Sequence, residues 1–168
     1  MKQLKTDKEL EARLLSARTV TVLSALNEIK ERGNAAYLPL LFSLLNSNPE
    51  PEVEKELTNI LGTLKIKDAI PFLTDALLDP KFKPIRKELI IACWQNGLDY
   101  RSYLPLFIDI IINEDWETGF EAFTVIENME SFPDQQLVDL SVEKINSALP
   151  QTTDRKKYLL QEILLLIC

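Results

Sequence analysis

The 168-residue chain, 46% hydrophobic and 27% charged, has the length of one domain and the composition of a folded protein, which excludes disordered and low-complexity readings. It contains no histidine, and this removes histidine general bases, Ser-His-Asp and Cys-His nucleophile systems, and every metal site that needs an imidazole. Nineteen Lys and Arg against 26 Asp and Glu leave a net charge of −7, which repels phosphate backbones, so nucleic acid is not an expected partner.

At the start of the chain, Met1 to Lys8 lacks the apolar core of a signal peptide. The longest apolar runs are far shorter than a bilayer span. A cytoplasmic protein without a membrane partner is expected. Helices are predicted at about 6–17, 19–32, 36–47, 52–65, 68–79, 84–96, 101–113, 116–130, 134–148 and 153–167. Thr6 with Glu9 fits a capping box for the first. Leu10, Leu14 and Leu15 alternate with charges there, as suits a polar cap to a stack. Val53, Leu57, Ile60, Leu61 and Leu64 mark one face of a helical period. The connections carry breakers: Asn48-Pro49-Glu50-Pro51, Asp79-Pro80, Lys83-Pro84 and Asn96-Gly97. Cys93, in the apolar run Leu89 to Trp94, reads as a core residue. With Cys168 it makes too few cysteines for a disulfide framework, and their spacing suits no metal. No cofactor, metal or catalytic residue is expected. Leu104 to Ile112 is β-branched enough for a buried strand, yet its position in the repeat predicts helix.

The repeat rests on two independent matches. Leu38-Pro39-Leu40-Leu41, Ile70-Pro71-Phe72-Leu73 and Leu104-Pro105-Leu106-Phe107 place their prolines 32 and then 34 residues apart. Lys55-Glu56-Leu57 and Lys87-Glu88-Leu89 recur at an offset of 32. Each period reads as two helices, the second started by the proline, whose missing N–H would be unpaired in a first turn anyway. No such hairpin buries its apolar stripe alone, so about five hairpins stack into one continuous core. The expectation is a single all-α domain with a cap helix over 1–18, repeats over 19–148 and an apolar C-terminal helix over 149–168.

This pattern resembles HEAT repeats, specifically the short repeats of phycobilin lyases. Ile85-Arg86 through Leu89 and Ala92, then Asn96-Gly97, then Leu104-Pro105-Leu106-Phe107 follow the order of that repeat, and Asp79-Pro80 supplies its Asp-Pro turn. The resemblance is clear over 53–130, looser over 19–47 and weak after Phe132. It implies a right-handed, armadillo-like α-solenoid whose second helices line the concave surface, and a non-enzymatic protein-interaction scaffold. Fold transfers further than function in such families. The iron-binding His-Glu pairs of deoxyhypusine hydroxylase have no counterpart here. The basic, aromatic groove of HEAT-like DNA glycosylases fits a −7 chain poorly. The alternative reading is a phycobilin-lyase-like enzyme or accessory that binds a small ligand in the same groove.

Charge is the one polar feature above background. Residues 1–84 hold 12 basic and 12 acidic side chains, whereas residues 85–168 hold 7 and 14. Between Arg101 and Lys144 there is no Lys or Arg, but there are ten acids. Asp75 and Asp109 lie four residues after repeat prolines, and Asp79 and Asn113 lie eight after, so each pair shares a helix face. Asp139 and Glu143 continue the row if their helix stacks in register. Two readings stand: a solvated face, or an acidic concave groove for a basic protein or peptide. Tyr103 and Trp116 are candidate aromatic anchors beside it. Asn113, Asp115 and Glu117 alternate as at the start of a calcium loop, but the glycine and the closing Glu are misplaced. Finally, Tyr158 to Cys168 is too apolar for an outer cap. Either this helix folds partly inward or it forms an interface, and Leu160, Leu164 and Ile167 are candidates for a homodimer contact.

Overall fold

The helix starts are set by chemistry visible in the chain. The computed structural model, which describes residues 5–168, places Pro39, Pro51 and Pro105 in the first turns of α3 (Leu38–Asn46), α4 (Pro51–Gly62) and α7 (Leu104–Asn113). Asp115 caps α8 (Trp116–Glu127) and Asp134 caps α9 (Gln135–Ala148), each accepting a backbone N–H of the first turn. The other helices are α1 (Lys8–Leu14), α2 (Thr19–Arg32), α5 (Ala69–Leu78), α6 (Arg86–Asn96) and α10 (Asp154–Ile167). Every predicted helix is present, including α7 at the β-branched run. Leu104, Phe107, Ile108, Ile110 and Ile111 are buried there, and packing on several sides overrides the modest helix penalty of isoleucine.

One expectation at the N-terminus fails. Asp7, not Thr6, is the N-cap of α1, and its carboxylate accepts the N–H groups of Glu9 (2.8 Å) and Leu10 (3.1 Å). The Asp7 N–H in turn donates to the Tyr37 hydroxyl at 2.7 Å, which anchors this turn to the next hairpin. The Thr6 hydroxyl donates to Glu11 rather than capping the helix. Residues 1–4, part of the predicted cap segment and of the stretch read for a signal peptide, lie outside the described residues.

The helices form two layers. In the first, α2, α4, α6, α8 and α10 pack each on the next. In the second, α3 packs on α5 and α7 on α9, whereas α5 and α7 make little backbone contact with each other. The layers join through α3 on α4, α5 on α6 and α7 on α8. Leu26, Leu57, Leu89 and Ala122 recur about once per period on the first layer, and all are 0% exposed. Burying each such leucine contributes roughly 2 kcal/mol. At the α7–α8 crossing a Cβ on Gly119 would just touch the Ile111 Cα at 3.4 Å, so a side chain larger than alanine would press on the α7 backbone. Gly97, at φ 64°, ends α6 in the left-handed conformation and turns the chain toward α7.

Polar contacts tie neighbouring repeats at offsets near one period. Lys65 Nζ donates to the Asn96 carbonyl at 2.8 Å, and the buried Asn96 amide donates to the Leu61 carbonyl at 3.4 Å. Arg86 pairs with Glu114. Lys156 Nζ donates to the carbonyls of Ile112 (3.1 Å) and Glu114, placing a cation at the C-terminal end of α7 and holding α10 against it.

Candidate functional site

The acidic stretch that is unrelieved along the sequence is partly relieved in space. Glu114 pairs with Arg86, Glu117 with Lys87 at 2.8 Å, and Asp109 with Lys144. Glu121 accepts the Trp94 indole N–H at 2.9 Å. Asp115 is occupied as a cap. The Thr118 backbone N–H and then its hydroxyl hold the Asp115 carboxyl below the usual aspartate range. The expectation of ten acids without a counter-charge is therefore corrected. In a solenoid the electrostatic neighbour sits one repeat away, and the cations of one repeat serve the carboxylates of the next.

The second-helix row is only partly assembled. Asp109, on α7, binds Lys144 Nζ through both carboxylate oxygens, at 2.7 and 2.8 Å. Together with Glu143 this pair walls an open groove of about 440 Å³ between α7 and α9, whose apolar part is Ile112, Leu140 and Ala148. Glu143 is exposed and, among the described residues, has no ion-pair partner. Leu140 is 43% exposed, so the groove offers an apolar contact beside a carboxylate. Asp139 lies one turn before Glu143, exposed, and accepts from Gln135 Nε2 at 2.8 Å.

The remaining candidates sit elsewhere. Asp75 is exposed on α5. Asp79 caps the 3-10 turn after α5, accepting the Lys81 N–H at 2.9 Å. The sparse contact between α5 and α7 separates both from the groove. Asn113 donates its side-chain amide to the Asp109 carbonyl at 2.8 Å, a bond within its own helix. Tyr103 is half-buried and packs on the core. Trp116 belongs to the first layer, with its ring 5.8 Å from Phe120 and the Arg155 guanidinium over it at 5.9 Å.

Of the three C-terminal candidates, one needs correction. Leu160 is 0% exposed and lies in the chain's own core, so it cannot form an interface, and Leu164 and Ile167 are half-buried against that core. The cause is that α10 meets α7, α8 and α9, more neighbours than the end of a simple stack provides. The apolar residues of α10 that do face outward are Tyr158, Leu165 and Leu166.

Sequence reasoning missed Lys144, Leu140 and Phe120. A search for opposite charges about one period apart would have found the 109–144 pair. At the edge where α6 and α8 end, a cleft of about 250 Å³ is bordered by Cys93, Tyr100 and Arg101. Burial pushes the Cys93 thiol up to about 12 and raises Tyr100 further, so neither is poised for nucleophilic chemistry. Among the described residues no group of Cys, Asp and Glu is arranged to hold a metal ion, and no helix is long and apolar enough to cross a membrane.

Paired antiparallel helices, repeated in two layers and tied at one-period offsets, define an α-solenoid. A family model for HEAT repeats matches residues 4–94, more than half of the chain, and the chain belongs to that family. No curated protein matches it. HEAT repeats are generally protein-interaction scaffolds.

Proposed function

We propose that this chain is a non-enzymatic scaffold that presents an acidic surface on its second-helix layer to a basic segment of a protein partner. The observation that carries the reading is the α7–α9 groove, where the unpaired Glu143 stands beside the exposed Leu140 and the Asp109–Lys144 pair. Such a groove suits a lysine or arginine whose charge meets Glu143 while its methylene stem lies along Leu140 and Ile112. Its open shape favours an extended peptide over a small ligand, since ligand pockets enclose most of what they bind. That weighs against the phycobilin-lyase-like alternative.

The test is capture from the native cell with wild type and with the double variant Asp139→Lys, Glu143→Lys. Both positions are exposed, so helicity is expected to be unchanged. Basic proteins retained by wild type at low salt should be lost from the variant and released from wild type as salt rises, because screening acts over about 8–10 Å. Retention of the same proteins by both chains at every ionic strength would overturn the reading.

A further inference from the structure

The opposite layer carries a second surface that the acidic groove does not explain. On α8 the rings of Trp116, Phe120 and Phe123 follow one another at 5.8 and 6.4 Å between centroids. Phe123 turns into the core, Trp116 is half-buried, and Phe120 is 45% exposed. Trp116 and Phe120 set two adjacent rings along the open side of α8, and aromatic side chains are enriched at contact surfaces. Around these rings the helix carries Glu117, Glu121 and Glu127 and no basic residue. Glu127 is exposed and, among the described residues, has no ion-pair partner.

The fold itself shows what these rings accept. Arg155 of α10 lays its guanidinium over Trp116 at 5.9 Å, a cation–π contact on the first ring of the row. Phe120, one turn further along the helix, presents the next face, and among the described residues no Lys or Arg lies over it. We infer that the outer face of α8 is a docking surface for an arginine-bearing segment of a partner protein, with a guanidinium stacked on Phe120 and Glu127, on the same helix face, as its counter-charge. Lys87 already serves Glu117 and the Trp94 N–H serves Glu121, so the charge left open among the described residues is Glu127, and it selects a basic partner. The planar faces select arginine over lysine, because guanidinium stacks on a ring while an ammonium is a compact, strongly hydrated point charge. This surface lies on the first-helix layer, and its occupancy does not depend on the α7–α9 groove.

The two tryptophans of the chain, Trp94 and Trp116, both border this face, since Trp94 donates to Glu121. Intrinsic fluorescence of the intact protein therefore reports on it directly. Titration with a short peptide of alternating glycine and arginine should give a saturable change. The matching glycine–lysine peptide should bind several-fold more weakly. Phe120→Ala should weaken the arginine peptide roughly five-fold, the factor expected for an exposed cation–π contact. Glu127→Lys, at the last residue of the helix where a cation suits the helix dipole, should weaken it as well without disturbing the fold. Because the α7–α9 groove also accepts basic side chains, the titration is repeated on the Asp139→Lys, Glu143→Lys chain, where the arginine preference and its loss in Phe120→Ala should persist. The inference is overturned if the arginine peptide gives no saturable change, if arginine and lysine peptides bind alike, or if Phe120→Ala of normal helicity binds as tightly as wild type.

Discussion

Two ion-pair ties between neighbouring repeats share the same chemistry and differ in the water around them. Lys30 on α2 reaches Glu56 on α4 at 3.3 Å with 41% and 28% of the side chains exposed. Arg86 at the start of α6 meets Glu114 at the end of α7 with 14% and 16% exposed. Water screens the first pair and supplies an alternative to each partner, so the pair contributes a few tenths of a kcal/mol at most. The second pair is cut off from that alternative, and its worth appears mainly when one member is removed. Among the described ion pairs Arg86–Glu114 is the most enclosed, so the tie that depends most on its cation lies in the acidic C-terminal half.

That difference predicts the largest effect. Arg86→Ala leaves Glu114 nearly enclosed without a counter-ion and should cost roughly 2–3 kcal/mol, read as a lowered urea midpoint with unchanged helicity. Lys30→Ala should shift the midpoint within error. A double-mutant cycle with Glu114→Gln should recover much of the Arg86 loss, because removing both charges leaves no orphan. Equal midpoints for the two lysine and arginine variants would break the comparison.

Next in size is a cap. Asp115→Ala removes the acceptor for the first turn of α8 and should cost about 1 kcal/mol. Its folded carboxyl lies below the ordinary aspartate value, so the stabilisation is present above that value and is lost as pH falls through the folded one. Wild type and variant should therefore converge in acid. Urea midpoints across the acidic range check this, and a gap that stays constant into strong acid would refute it.

The same comparison explains what could be read from the chain. The helices were legible because proline starts, the Asn96-Gly97 stop and apolar spacing are all local signals, each decided within a turn or two. Even α7, whose isoleucines argue for a strand, was recovered once its place in the repeat outweighed propensity. Charge was not legible in the same way. Glu114 looks bare because its partner lies 28 positions earlier, and Asp109 because its partner lies 35 later. The burial of Leu160 was hidden for a related reason. Nothing within α10 says that three helices surround it. Asp7 displaced Thr6 as a cap because two acceptable capping residues stood side by side, and the Tyr37 hydroxyl, distant in sequence, took the Asp7 N–H.

A smaller effect tests the groove. The Lys144 and Asp109 side chains are 32% and 44% exposed, as open as the Lys30–Glu56 tie, but Lys144 meets both carboxylate oxygens. Lys144→Ala should cost about 0.5 kcal/mol, a loss that fades as salt is added. If the reading of the groove holds, the freed Asp109 should also raise affinity for a basic peptide. Thermal unfolding at low and high salt separates the screened pair from a packing loss, since packing would not respond to salt.

The smallest effect on stability, and the sharpest on local dynamics, concerns the two thiols. Cys168 is exposed and Cys93 is buried, with burial pushing Cys93 up to about 12. At pH 8 a thiol so displaced is ionised in only about one molecule in ten thousand, and the reagent must also reach it through the α6–α8 packing. An aromatic disulfide reagent should thus modify one thiol promptly and the other only at the rate at which that packing opens. Arg86→Ala should speed the slow phase, because it loosens the start of α6. If both thiols of wild type react together, the C-terminal half opens readily and is not the tightly held region that its enclosed ion pair implies.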